Sequence, residues 1–315
     1  MSARRVDVHA HYLPADYRQA LLDGGHDQPD GFPVLPEWSA EAHLAMMDRV
    51  GIETSLLSVS TPGVTFGADP VEWARKVNES GAATVRAHPG RFGLFASLPV
   101  NDADAARDEI AHALDRLDAD GVVLLTHADG VYLGDPRLEP VMAELHRRRA
   151  VVFVHPTSPA GFECTALGYP RPMLEFLLDT TRAIANLVLT GTLDRYDGIR
   201  LIVPHAGSAL PVVADRLGGF ASLFGVGGRD AGEVDVVATL QRLHYEIGAG
   251  FPFPRHVDAL LNLVDAGRLL YGTDFPFGGL PGIEANTEAL VAYPGVDDER
   301  LRANTEELFP RLRRS

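Results

Sequence analysis

Histidine and aspartate recur in this chain at the ends of apolar, β-branched runs. His9 and His11 close the segment Val6-Asp7-Val8-His9-Ala10-His11, and His155 ends Val151-Val152-Phe153-Val154-His155. His205 follows Leu201-Ile202-Val203-Pro204, and Asp274 follows Leu269-Leu270-Tyr271-Gly272-Thr273. Side chains alternate in direction along a strand, so His9 and His11 share a face and can take adjacent positions around one metal ion. A lone His-x-His pair is weak; joined to a histidine and a carboxylate at other strand ends, it becomes a donor set. Three imidazoles and one carboxylate (His9, His11, His155 and Asp274) suit a single divalent ion. Zinc fits best, with manganese as the alternative where further oxygen donors complete the shell. Burying such histidines without partners would be costly, which weighs against incidental core residues. The fourth run ends Val123-Leu124-Leu125-Thr126-His127, with no lysine to be carboxylated as a bridge to a second ion, so a mononuclear site is expected.

Other residues could serve such an ion. His205 opens Pro204-His205-Ala206-Gly207-Ser208, a stretch that lets the backbone approach a pocket and starts a helix. It is placed to move a proton or to meet a substrate oxygen, unless it is a satisfied structural histidine. Arg216, in the following helical stretch, is either a surface ion-pair partner or an anchor for a carboxylate. Phe251, Phe253, Phe275 and Phe277 flank the seventh and eighth runs and could line an aromatic-sized pocket, although loop packing explains them equally well. His127 is a candidate substrate contact or a supporting histidine. Cys164 has no base beside it in sequence and is not read as a nucleophile.

The elements that must position these residues alternate. Eight strands are expected at Val6–His11, Thr54–Ser60, Phe92–Leu98, Gly121–Leu125, Val151–His155, Arg200–His205, Leu243–Ile247 and Leu269–Asp274. Several are near-continuous apolar runs, the pattern of parallel strands covered on both faces. Between them lie amphipathic stretches: Ala40–Val50; Asp104–Leu117, with an aspartate as cap candidate; and Pro136–Arg149, with proline in its first turn. The alternation predicts an α/β fold, a (β/α)8 TIM barrel formed by residues 1–315 as one domain. A doubly wound sheet is the rival, but no Gly-x-Gly-x-x-Gly follows the first strand. Two long βα loops, Asp23–Glu37 after strand one and Pro156–Pro172 after strand five, distort the minimal barrel. Both belong to the rim where barrel strands end, which is also where His9, His11, His155, His205 and Asp274 would converge.

Composition narrows the function. Of 315 residues, 28 are Lys or Arg and 43 are Asp or Glu, a net charge of −15 that disfavours nucleic acid and acidic lipid. Arg311, Arg313 and Arg314 are read as a solvated helix end rather than a nucleic-acid arm. No run of eighteen apolar residues suggests a membrane span, and Met1–Val8 does not read as a signal peptide. With one cysteine, no disulfide framework within the chain is expected; a reducing cytoplasm is.

The histidine and aspartate motifs, from Val6–His11 to Gly272-Thr273-Asp274-Phe275-Pro276, resemble the amidohydrolase superfamily. The similar branch is that of metal-dependent decarboxylases related to aminocarboxymuconate semialdehyde decarboxylase. Ser60-Thr61-Pro62-Gly63-Val64, Val122–Thr126, Tyr132-Leu133-Gly134-Asp135 and Phe153-Val154-His155-Pro156-Thr157-Ser158-Pro159 look most like 6-methylsalicylate-type decarboxylases. The resemblance implies that His9, His11, His155 and Asp274 ligate the metal and that His205 is the histidine beside it. It implies that Arg216 reaches a neighbouring subunit's pocket to grip the substrate carboxylate, hence a homodimer. It also implies non-oxidative decarboxylation of an ortho-hydroxy aromatic acid, with the metal on carboxylate and phenolate and Asp274 protonating the ring carbon. Two departures matter. Ser208 stands where some relatives carry a glutamate three residues after the sixth-strand histidine. Gly31–Glu37 lacks the early arginine of the semialdehyde decarboxylases, which favours a simpler aryl monoacid. The same ligands also suit hydrolysis of a lactone or amide by an activated water.

Overall fold

A computed structural model describes residues 5–312. Eight parallel strands pair in sequence order: β1 (Arg5–His11), β2 (Ile52–Ser58), β3 (Phe92–Ser97), β4 (Gly121–Leu125), β5 (Val151–His155), β6 (Arg200–Val203), β7 (His244–Glu246) and β8 (Leu269–Leu270). The seam between last and first is closed by Val8 N–H to Tyr271 O (2.9 Å) and His11 N–H to Phe275 O (2.7 Å). Helices fill the connections, so the expected (β/α)8 barrel is observed. The near-continuous apolar runs have the expected cause. In β5, Phe153 faces the barrel interior with Val8, Leu56, Phe95, Val123, Ile202 and Leu270, while Val152 and Val154 face the helices.

Strand ends differ from the expectation where the chemistry sits. β6 stops at Val203 rather than His205, because Pro204 has no N–H and His205, Ala206 and Ser208 all take positive φ (53°, 53° and 57°). β8 stops at Leu270; the chain from Tyr271 to Phe275 continues along β1 only by isolated bridges. β2 ends at Ser58, two residues early.

The helix Ala40–Val50 matches its expected limits. Ser39 accepts from Ala42 N–H at its start, and Gly51 ends it at φ 77°, a left-handed conformation that glycine adopts without a side-chain clash. The next expected helix runs Ala103–Asp115. Its cap is Asp102, which accepts from Asp104 and Ala105 N–H, and Asp104 belongs to the first turn. The Pro136–Arg149 stretch divides into a 3-10 turn, Pro136–Leu138, capped by Asp135, and a helix, Glu139–Arg147.

A C-terminal helix, Asp298–Leu308, closes the floor opposite the histidines. Arg5 makes a bidentate pair with Asp298, at 2.6 Å through both Nε and Nη2. Leu308 and Phe309 enter the interior cluster, with the Phe309 ring 5.9 Å from that of Phe95. Arg311 pairs with Asp120 rather than standing free; Arg313 and Arg314 lie outside the described residues. No described helix is long and apolar enough to cross a membrane.

Candidate metal centre and cavity

The rim at the strand C-termini gathers His9 and His11 from β1, His155 from β5 and Asp274 from the segment after β8. One ligand atom of each lies within 4.8 Å of all the others. His9 and His11 are fully buried and His155 nearly so. Asp274 Oδ1 lies 3.1 Å from His11 Nε2 and 3.5 Å from His9 Nε2.

The Nδ1 atoms explain why the Nε2 atoms face inward. His9 Nδ1 is 3.0 Å from Glu246 Oε2, His11 Nδ1 is 3.0 Å from Ser58 Oγ and 3.3 Å from Ser58 O, and His155 Nδ1 is 2.7 Å from Pro156 O. A proton on each Nδ1 satisfies these acceptors and leaves an Nε2 lone pair for a cation, the arrangement by which a second layer fixes metal-binding imidazoles. Nε2 of His9 and of His11 is buried with no hydrogen-bond partner. Orphaned buried nitrogens converging beside a carboxylate fit a divalent ion.

Electrostatics agrees. Burial pushes His11 and His155 below their ordinary value, so both favour the neutral, ligating form. Burial also opposes charge on His9, but the carboxylates of Asp274 and Glu246 outweigh it and raise the group. Asp274 is held below the usual carboxylate range: burial disfavours its charge, and His9 and His11 more than compensate. Two ionised carboxylates flanking one imidazole stabilise positive charge there, which a metal ion can supply in place of a proton.

Glu246 and Asp7 were not singled out from sequence. Glu246, fully buried at the end of β7, accepts from His9 Nδ1, His205 N–H (3.1 Å), Ala249 N–H (2.7 Å) and Gly248 N–H. Against the burial that raises it, the His9 contact and the other donors bring its pKa down to about 2. It supplies an acid near His205 that Ser208 cannot, although it reaches the His205 backbone rather than the ring. Asp7 accepts from His9 N–H (3.0 Å) and from Thr273 N–H (3.1 Å) and Oγ1 (2.7 Å), tying β1 to the Asp274 segment. Burial pushes its carboxyl up to about 7. The only available signal was position: Glu246 ends a strand on the same rim, and Asp7 precedes His9 by two.

His205 packs its ring 5.2 Å from that of His9. Burial lowers its pKa to about 4, so it is neutral near pH 7, and its Nδ1 has no partner. His205, Phe251 and Asp274 all have positive φ (53°, 58° and 59°), sparsely populated backbone that the packed rim maintains.

Above the cluster opens a cavity of about 670 Å3. His155, His205 and Asp274 reach it, and Phe32, Pro170, Met173, Phe176, Phe251 and Phe277 give it an apolar wall, with no lysine or arginine among the described residues that line it. Both long loops contribute, and they are fastened together. Asp30 Oδ1 accepts from Ser158 N–H (3.0 Å) and from its hydroxyl, and Arg171 Nε donates to that hydroxyl (3.0 Å). Gly31, at φ 73°, lies under Arg171; a Cβ there would come within 2.5 Å of the guanidinium.

Two of the expected substrate contacts, Phe275 and His127, stand outside this cavity. Phe275 packs behind the wall, its ring 4.7 Å from His43. His127 stands in a small hairpin (His127–Ala128 with Val131–Tyr132), its Nε2 3.0 Å from Ser158 O and its Nδ1 accepting from Gly130 N–H, so it braces the β5 loop. Arg216 is exposed on the helix Leu210–Leu223, its guanidinium 4.9 Å over the Phe220 ring, and does not line this chain's cavity. Phe251 lines the cavity yet is 72% exposed at its mouth.

A parallel barrel with a His3Asp cluster at its C-terminal rim is the frame of metal-dependent enzymes. Residues 6–305 match the amidohydrolase family, and the chain belongs to it. It is 35% identical to the 6-methylsalicylic acid decarboxylase of Aspergillus aculeatus, over 99% of this chain and 97% of that protein. It is 34% identical to the 6-methylsalicylic acid decarboxylase of Penicillium expansum, over 98% and 97%. Among solved structures it is similar to a protein described as amidohydrolase II, with a TM-score of 0.90 and 32% identity, over 97% of this chain and 99% of that one.

Proposed function

We propose that the chain is a metal-dependent, non-oxidative decarboxylase of an ortho-hydroxy aromatic acid of the salicylate or 6-methylsalicylate type. The observation that carries this reading is the convergence of three Nε2 atoms and the Asp274 carboxylate beneath an apolar cavity of aromatic size. The similarity to decarboxylases along the whole chain supports it. A divalent ion held by His9, His11, His155 and Asp274 would supply Lewis-acid charge to the carboxylate and phenolic oxygens of the substrate. The nitrogen-rich donor set favours zinc, with manganese as the alternative.

Direct loss of carbon dioxide from an aryl carboxylate would leave an aryl carbanion; protonating the ring carbon first avoids it. Asp274, ionised at rest, accepts the phenolic proton as the phenolate forms. It then gives that proton to the ring carbon bearing the carboxylate. The C–C bond breaks, its electron pair restores the aromatic ring, carbon dioxide leaves, and the product phenolate takes a proton from water. His205, neutral beside His9, holds the phenolic oxygen or passes the proton. Phe251, Phe277 and the fastened loops orient the ring and exclude water.

A homodimer belongs to the same reading. Among the described residues the cavity wall has no cation of its own, while Arg216 stands exposed with Val212, Phe220 and Leu223 on one helix, next to Phe224 just past its end. A second copy covering that apolar face would let each Arg216 serve the other copy's cavity. The test is direct: zinc- or manganese-loaded protein is given salicylate and 6-methylsalicylate, and carbon dioxide is measured together with phenol from the first and 3-methylphenol from the second, with aryl lactones offered in parallel. Release of carbon dioxide that a chelator abolishes is expected; turnover of lactones alone would replace this reading with hydrolysis.

A further inference from the structure

The cavity wall contains a primary amide that an apolar ring does not explain. The helix Leu280–Ala292 turns Ile283, Asn286 and Leu290 inward, a three-four spacing in which every position but the middle one is apolar. Asn286 is 9% exposed and lines the cavity, and none of the described residues hydrogen-bonds its amide. A primary amide offers two donors and two acceptors. The amide opens on the cavity, whose wall is largely Phe, Pro and Met, so a ring bound there displaces the water that would hydrate it and must offer it a partner in return. Ser60 also lines the cavity without a side-chain partner, but a single rotatable hydroxyl is more easily satisfied than a planar amide.

We infer that Asn286 is a specificity-determining residue that reads a further polar substituent on the aromatic ring, beyond the carboxylate and its ortho-hydroxyl, most simply a second hydroxyl. The inference rests on the decarboxylase reading and sharpens its substrate class. The ion and His205 are matched to the carboxylate and the adjacent phenol, and the wall of Phe, Pro and Met residues accepts the ring and any alkyl group. Asn286 stands on a different element, after β8, and is left for a group that salicylate and 6-methylsalicylate do not carry. A site built to hydrogen-bond such a group discriminates against a ring lacking it, because such a ring covers the amide without pairing it.

The experiment compares salicylate with 2,4-, 2,5- and 2,6-dihydroxybenzoate on the zinc-loaded wild type and on Asn286→Leu, which continues the apolar stripe. Asn286→Ser, which shortens the reach but stays polar, guards against a folding artefact. Both Kd by calorimetry and kcat/KM are read. The wild type is expected to prefer at least one dihydroxy acid over salicylate, and both variants to shrink that preference about tenfold or more. An equal loss on salicylate and on the dihydroxy acids would mean that the amide touches the groups all four share, and would overturn the inference. An unchanged preference would overturn it too. If the acids bind with the expected shift in preference but none is decarboxylated, the proposed reaction falls and the role of Asn286 stands.

Discussion

Glu246→Gln tests the view that buried acceptors around the histidines make the metal centre. The carboxylate of Glu246 receives four N–H groups: His9 and His205 on Oε2, Gly248 and Ala249 on Oε1. A glutamine has the same shape but only one oxygen. Whichever way the amide is turned, two N–H donors face an NH2 group. If that group meets His9, the imidazole regains a hydrogen bond only by moving its proton to Nε2, where it blocks the lone pair offered to the ion. If it meets Gly248 and Ala249, two buried backbone donors lose their acceptor, at roughly 1–3 kcal/mol each. Losing a group that orients a ligand typically weakens metal binding tenfold to a hundredfold, or about 1.4–2.7 kcal/mol. The expectation for E246Q is therefore a zinc Kd raised by about that factor together with a lower urea midpoint for the metal-free protein. Competition with a chromophoric chelator reads the first, and far-UV circular dichroism in urea the second. Wild-type zinc affinity and stability in E246Q would refute the argument that this carboxylate sets the His9 tautomer.

Other expectations follow from the same geometry. His155→Ala should abolish stoichiometric zinc binding, read by metal analysis after gel filtration, while retaining the native far-UV spectrum. His43, fully buried, accepts from Trp38 Nε1–H at 3.0 Å, and burial, aided by His11, holds its pKa at about 3. The unfolded chain then binds the extra proton between about pH 6.5 and 3, so this contribution is complete above pH 6.5 and is lost as pH falls toward 3. His43→Phe should remove about 3 kcal/mol of the wild type's loss between pH 7.5 and 4.5, measured by urea unfolding at both values. Phe309→Ala, deleting a ring that is 3% exposed on the barrel floor, should destabilise by about 3–5 kcal/mol in the same assay without changing zinc stoichiometry. Arg216→Ala should raise KM for the aromatic acid more than it lowers kcat, and sedimentation of the wild type should give twice the mass of one chain if the proposed pairing holds.

What was legible in the sequence follows from periodicity and local chemistry. The apolar runs fix eight strands because both of their faces are covered, and the strand ends fix which histidines can meet. Asp102 displaced Asp104 as the helix cap because either aspartate could open that helix, and only the observed backbone chooses. The early ends of β6 and β8 come from positive-φ residues near His205 and Asp274, and strand propensity carries no mark of a backbone bent to aim a side chain. Glu246 was missed because one glutamate in a short strand looks like any other until the fold sets it under His9. Phe275 and His127 sit in motifs next to the site, but adjacency in sequence does not decide which way a ring points. Asn286 lies on a helix whose pattern is weakly amphipathic, so its inward position appears only once the barrel is assembled.

The fastening of the β1 loop to the β5 loop through Asp30, Ser158 and Arg171 has a consequence for anyone who would redesign this enzyme. The roof is one unit made from two distant stretches of chain. Grafting either stretch alone from a relative with a different appetite would leave Ser158 or Asp30 reaching for an absent mate, and the graft would sag before it could select anything. Exchanged as a matched set, with the glycine that makes room for the arginine, the two stretches could be carried over while the metal-holding rim beneath stays untouched.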